Sequence, residues 1–157
     1  MHQTSSKAIN YLTLKKIPFV LFTHTQNINS IVDAADQRGQ TIDQVLRSIL
    51  FRNKNHDFFM VITTGSKRVN WKKLRNYLGV NRTTLATESE VLAETGYQLG
   101  TVNPFNINPE IRVFINKSCL TQSSISIGSG LKGIAIILSI ENLIKALPDL
   151  IIVDFSD

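Results

Sequence analysis

The sequence predicts an α+β domain, with a central mixed β-sheet and flanking helices, on three observations. A chain of 157 residues fits one domain around one core, taken to span 1–157. Its strand-like and helix-like segments follow one another without the regular alternation of a βαβ protein. Its apolar runs are strand-sized, the longest being 134–138, far short of the ~20 residues that span a bilayer.

The elements follow in order. Residues 5–16 place Ala8, Ile9 and Leu12 on a helical stripe, with Ser5 or Ser6 as cap and Pro18 as stop. Residues 19–23 read as a strand and 24–32 as a polar turn. Residues 33–38 suggest a short helix stopped by Gly39. Residues 41–48 suggest another, capped by Thr41, with Ile42, Val45 and Leu46 facing inward. Apolar runs at 49–52 and 58–63 flank Asn53-Lys54-Asn55-His56-Asp57, a hairpin signal. Residues 70–78 form a helix with Trp71, Leu74 and Leu78 on one stripe, ended by Gly79.

Residues 83–86 read as a short strand. Thr87 and Glu90 form a capping box that opens a helix ending near Gly96. A connection rich in glycine, proline and asparagine covers 97–109. Strands are expected at 112–116, 124–127 and 133–138. Ser139 caps a last helix to Leu147, and 151–155 is a final strand.

Charge leaves two readings open, a polyanionic partner or a solubilising surface with charges scattered on several faces. The net charge is +5, yet residues 47–82 hold nine lysines and arginines against the single acid Asp57. The remainder is therefore net acidic, and such asymmetry focuses positive potential on one side of a fold. The chain has one cysteine, Cys119, so no internal disulfide forms. It reads as a small buried side chain in a reducing compartment. The opening MHQTSSK lacks the basic-then-apolar pattern of a secretory signal. A cytoplasmic location follows as the expectation, with no membrane partner.

Familiar catalytic sets are missing. Ser129 lies between adjacent glycines, whereas a nucleophile elbow needs them two positions away. Gly128 to Gly133 lacks the Gly-Lys-Ser/Thr ending of a P-loop, so a tight turn is expected there. His2, His24 and His56 have no metal-ligand spacing, so neither metal nor cofactor is expected. The loop Gly96-Tyr97-Gln98-Leu99-Gly100-Thr101-Val102-Asn103-Pro104-Phe105 remains. Its glycines permit close substrate approach, its proline stiffens the exit, and exposed amides in such a loop can bind a developing oxyanion. On composition alone a plain connection is the favoured reading.

Several segments together resemble the YbaK-type aminoacyl-tRNA deacylases, relatives of the editing domain inserted in bacterial prolyl-tRNA synthetases. They are Asp43-Gln44-Val45-Leu46-Arg47-Ser48-Ile49-Leu50, Val69-Asn70-Trp71-Lys72-Lys73-Leu74 with Leu78-Gly79, Thr95-Gly96-Tyr97, Gly100-Thr101-Val102-Asn103-Pro104, and Gly128-Ser129-Gly130 with Lys132-Gly133. Arg47 stands where many members have a functional lysine, His24 roughly where the nearest branch has a tyrosine, Ala135 at an acidic position, and Thr101 at the second glycine of a pair.

The resemblance implies a mixed-sheet α+β fold and metal-independent hydrolysis of a mischarged aminoacyl-tRNA, with a small amino acid on tRNA-Pro the favoured substrate. It gives Arg47 the terminal phosphate or ester carbonyl, and the amides of Gly100, Thr101, Val102 and Asn103 the ester. Pro104 stiffens that loop, the Gly128-Ser129-Gly130 turn completes the pocket wall, and His24 either contacts the terminal adenosine or the amino acid or has a structural role. Lys67, Arg68, Lys72, Lys73 and Arg75 are expected to bind the acceptor stem. The partners implied are tRNA, through its acceptor stem and aminoacylated 3′ end, and an aminoacyl-tRNA synthetase. A non-catalytic tRNA-binding or synthetase-associated module of the same fold is the alternative. An unrelated small-molecule esterase is a third reading.

Overall fold

The strand Phe58–Thr64 is buried along almost its whole length, and the architecture is built around it. The computed structural model describes residues 5–155. Residues 1–4, which include His2 and the first part of the opening MHQTSSK, lie outside them. In chain order the elements are α1 (Lys7–Leu14), β1 (Val20–Thr23), α2 (Ile31–Arg38), β2 (Leu46–Arg52), β3 (Phe58–Thr64), α3 (Trp71–Leu78), β4 (Thr84–Leu85) and α4 (Glu88–Thr95). They continue with β5 (Arg112–Asn116), β6 (Ser124–Gly128), β7 (Ile134–Ser139), α5 (Ile140–Ala146) and β8 (Ile151–Val153).

A mixed five-stranded sheet has the order β4-β2-β3-β5-β8. β2 pairs antiparallel with β3 and β4, while β5 pairs parallel with β3 and β8. β3 is apolar on both faces because both are covered. On one side Phe59 and Val61 join Phe51, Phe114 and Phe155 beneath Leu74 of α3. On the other, Met60 packs with Leu50, Val91 and Ile111, and Ile62 enters the main core with Leu12, Phe105 and Leu143.

The strands do not all enter that sheet. β1, β7 and β6 form a separate antiparallel sheet. It meets the larger one through a parallel bridge between Val45 and Ser126. Ile125, Ile127 and Ile136 of this second sheet share the main core with Ile62 and Ile115 of the first.

The helix expected over 41–48 does not form. A single 3-10 turn, Ile42–Gln44, is followed directly by β2. Gln44 Oε1 accepts from the Thr41 amide at 2.9 Å, as a cap would, but Gln44 Nε2 also donates to Ser124 O at 3.0 Å. From Leu46 onward the backbone pairs with β3, Leu46 opposite Thr64 and Arg47 opposite Thr63. A full ladder against a buried strand outweighs helix propensity over so short a segment. Val45 and Leu46 are buried as expected, though on a strand.

Several local signals stand as read. Ser6, Thr87 and Ser139 cap α1, α4 and α5, while Gly39, Gly79 and Gly96 end α2, α3 and α4. Helix α2 starts two residues earlier than expected, on a Ser30 cap. Cys119 is fully buried, and burial pushes its thiol up to about 12.

Two outcomes test this packing. The Thr87 amide, and then Arg52, hold the Glu90 carboxyl below its usual range. A carboxylate depressed in the folded state stabilises above its unfolded pKa, and that contribution is lost as pH falls through the folded value. Stability in urea should therefore fall on acidification through the carboxylate range, and less steeply in Glu90→Gln. Separately, a Cβ at Gly128 would lie 2.5 Å from Val102 O and 2.9 Å from Thr101 O. Gly128→Ala should cost about 1–3 kcal/mol in chemical denaturation, the usual range for overpacking.

Candidate functional site

A cleft of about 540 Å³ opens where the two sheets meet. Five consecutive residues, Val45 to Ile49, line it. Successive strand side chains point to opposite faces, so the cleft must run along the edge of β2 rather than across one face. That edge is open because β4 covers β2 only at Phe51 and Arg52. Helix α2 contributes Ile31, Ala34 and Arg38, and the β6–β7 region contributes Gly128, Leu131 and Ala135. The loop after α4 adds Leu99, Gly100 and Val102.

Of the residues expected at the site, Arg47, His24, Gly100, Val102 and Gly128 all line this cleft. Arg47 Nη2 donates to Lys67 O at 3.3 Å, and its Nε is buried without a protein partner. The neighbouring Ser48 hydroxyl is likewise buried, partnerless and at the cleft. The amides of Gly100 and Val102 have no acceptor among the described residues.

Thr101, Asn103, Pro104, Ser129 and Gly130 are not among the lining residues. Both the amide and hydroxyl of Thr101 donate to Gln98 O, at 3.0 and 2.8 Å. Asn103 Nδ2 donates to Thr101 O at 3.1 Å and its Oδ1 accepts from the Phe105 amide at 3.0 Å, which fixes the loop from within. Pro104 borders a different depression, beside Tyr11. Ser129 Oγ donates to Ile134 O at 2.6 Å and accepts from the Leu131 amide at 3.1 Å, the tight turn that its glycine neighbours predict. Gly130 has φ 84°, and a Cβ there would press on the Tyr97 ring. These five shape the walls from behind.

Sequence reading missed Arg38. Its Nε donates to His24 Nε2 at 3.0 Å and its Nη1 to Ser126 Oγ at 2.9 Å. Because Nε2 accepts, the His24 proton sits on Nδ1, which donates to Gln37 Oε1 at 2.7 Å. Gln37 Nε2 in turn donates to Asp33 Oδ1 at 3.2 Å, and Asp33 is held below the usual range chiefly by the Asn29 amide. Burial lowers the pKa of Arg38, although an arginine keeps its charge. Neither Arg38 nor Arg47 has a carboxylate within 4 Å among the described residues, and no acid lines the cleft. The signal for Arg38 was its place in the last turn of a capped helix, which is indistinguishable in sequence from a surface charge near a helix C-terminus.

None of the basic residues expected to bind RNA lines this cleft, and Lys73 borders a separate depression with Tyr77 and Asp154. Lys67, Arg68, Lys72 and Lys73 are exposed and Arg75 is half-buried. Arg47 ties the cleft to their loop through Lys67 O. Arg52 is set apart by its ion pair with Glu90 at 3.0 Å. Among the described residues no three His, Cys, Asp or Glu side chains gather as a metal-ligand set, and no helix is long and apolar enough to cross a membrane.

Comparison with known proteins fits this geometry. Hypothetical protein APE2540 superposes with a TM-score of 0.85 over 97% of this chain and 100% of its own, at 20% identity. A candidate trans-editing enzyme for prolyl tRNA synthetase superposes at 0.84 over 99% of both chains, at 18% identity. These likenesses establish the fold. By sequence, a proline–tRNA ligase of Staphylococcus aureus (strain bovine RF122) is 23% identical over 133 residues, 85% of this chain and 22% of the ligase. One from Thermosipho melanesiensis is 24% identical over 105 residues, 67% of this chain and 18% of that protein. The chain thus spans about a fifth of the length of these relatives. Residues 25–146 match the aminoacyl-tRNA editing domain, a stretch holding the whole cleft except His24, and the chain belongs to that family.

Proposed function

We propose that this chain hydrolyses the ester of a mischarged aminoacyl-tRNA, with a small amino acid on tRNA-Pro as favoured substrate and translational quality control in the cytoplasm as its role. One observation carries the reading. The Arg47 guanidinium, with its buried and partnerless Nε, shares a cleft with the unpaired amides of Gly100 and Val102.

An aminoacyl ester is already activated, so the protein needs chiefly to orient it and stabilise negative charge on its carbonyl oxygen. In this reading water adds to the carbonyl carbon, and Arg47 with the loop amides receives the oxyanion. The acyl C–O bond then breaks, and the ribose oxygen leaves with a proton. No side-chain nucleophile or metal is required. His24, held by Arg38 and Gln37, offers a fixed imidazole edge at the wall and positions substrate. Thr101, Asn103, Pro104, Ser129 and Gly130 act by holding the two loops in shape.

Lys67, Arg68, Lys72, Lys73 and Arg75 bind the phosphates of the acceptor stem, and a synthetase that charges the tRNA is the second partner. Arginine in place of the family lysine keeps the charge with a planar fork. It leaves one rival, a module of the same fold that binds tRNA without turnover.

Two measurements test the proposal. In a deacylation panel of mischarged tRNAs, with EDTA present, wild type should turn over and Arg47→Ala should lose at least ~100-fold, the scale of an oxyanion donor, with an unchanged melting temperature. Binding of every charged tRNA without turnover would favour the module. Lys72→Glu with Lys73→Glu should weaken tRNA binding and flatten its dependence on salt by about one to two released counterions. Undiminished binding at low salt would remove these lysines from the interface.

A further inference from the structure

The geometry points to Trp71 as a stacking platform for the unpaired nucleotides at the 3′ end of the RNA. Trp71 is the only tryptophan of the chain and opens α3. It is 40% exposed, although large aromatic rings are normally well covered. Its ring is not loose. It packs T-shaped on the fully buried Phe51, with centroids 4.7 Å apart. Phe51 pairs in register with Leu85, itself exposed. The result is a fixed, half-open apolar surface where a ring can stack at little entropic cost.

Its surroundings select the occupant. Lys67 and Arg68 precede it and Lys72 follows, all exposed. Arg75 lies four residues on, beside it on the helix surface. The single acid of residues 47–82, Asp57, is engaged with Asn53 in the β2–β3 turn. An apolar protein partner would leave these cations unpaired. Single-stranded RNA satisfies both features, with phosphates on the cations and a base on the indole.

Position makes the link to the cleft. Arg47, Ile49 and Phe51 share one face of β2, because side chains alternate. The first two line the cleft and the third carries Trp71. At ~3.4 Å per residue, Phe51, on which the Trp71 ring packs, lies about 14 Å along the strand from Arg47. With the terminal nucleotide in the cleft, a base just upstream reaches the indole. Duplex RNA cannot offer a free base face there, so the platform reads the unpaired state of the 3′ end. This deepens the tRNA reading and relies on it for the identity of the RNA, but not for the stacking.

The lone tryptophan reports on its own contact. Titrating the protein with a short single-stranded RNA ending in CCA should quench its emission saturably, whereas a blunt RNA duplex of equal length should not. Trp71→Ala should weaken the single strand at least fivefold, the lower end for one stacked base. Trp71→Phe should retain most of the affinity, and the loss on tRNA should appear in KM rather than kcat. Binding of labelled RNA with unchanged emission, equal quenching by the duplex, or wild-type affinity in Trp71→Ala would each overturn the inference. If Trp71→Ala does not fold, the wild-type titration and Trp71→Phe decide. Quenching by the single strand without deacylation of any tRNA would sink the deacylase reading alone. Deacylation with an unchanged KM in Trp71→Ala would sink this inference alone.

Discussion

The cleft exists because two pieces of backbone pass closer than any side chain allows. At Gly128 the end of β6 lies against the carbonyls of Thr101 and Val102, and a Cβ would fall 2.5 Å from the nearer oxygen. The Gly130 amide adds a hydrogen bond to Thr101 O at 3.1 Å. Through this seam the small sheet positions the loop that follows α4. Gly100 and Val102 are thereby set opposite β2 with their amides unspent. Helix α1 braces the same seam from outside, since Ser6 Oγ donates to Ser129 O and Lys7 Nζ donates to the carbonyls of Thr95 and Asn106. Tyr97 closes it from within through its bond to Phe105 O at 2.5 Å.

Around that frame the electrostatics are one-sided. Two guanidiniums reach the cleft, and the groups that orient them are neutral: a histidine nitrogen, a serine hydroxyl and a main-chain carbonyl. A carboxylate partner would have cancelled the positive potential that an anionic ligand or transition state needs. Neutral acceptors fix geometry and leave the charge available. Outside the cleft, Lys67, Arg68, Lys72 and Arg75 have no carboxylate within 4 Å among the described residues, while Arg52, at the far end of β2, is paired with Glu90.

Two side chains that look nucleophilic in sequence are not at the cleft. Ser129 is consumed by its own turn and Cys119 is buried with its thiol pushed up to about 12. The charged groups at the cleft are donors, the guanidiniums of Arg38 and Arg47. Donors suit a reaction in which charge builds on a carbonyl oxygen, and the remaining requirement is placement of the ester.

Much of the fold was legible in the chain because its signals are local. A capping box at Thr87 and Glu90, glycines at three helix ends, a hairpin between two apolar runs and a doubly apolar β3 each act through neighbours in sequence. The family, too, was carried by ordered short motifs. Tertiary structure alone decided which strands pair, and so divided them into two sheets, since periodicity marks a strand but not its partner. It converted residues 41–48 from the expected helix to a turn and a strand, because pairing with buried β3 outweighs a short segment's own preference. It also separated residues that touch the cleft from those that hold its loops: Asn103 and Ser129 look as chemically capable as Arg47 in sequence, yet their hydrogen bonds are spent inside their own turns. Arg38 and Trp71 gained significance only from what surrounds them, the absence of a nearby carboxylate for one and a buried ring beneath the other, and such surroundings are assembled from segments distant along the chain.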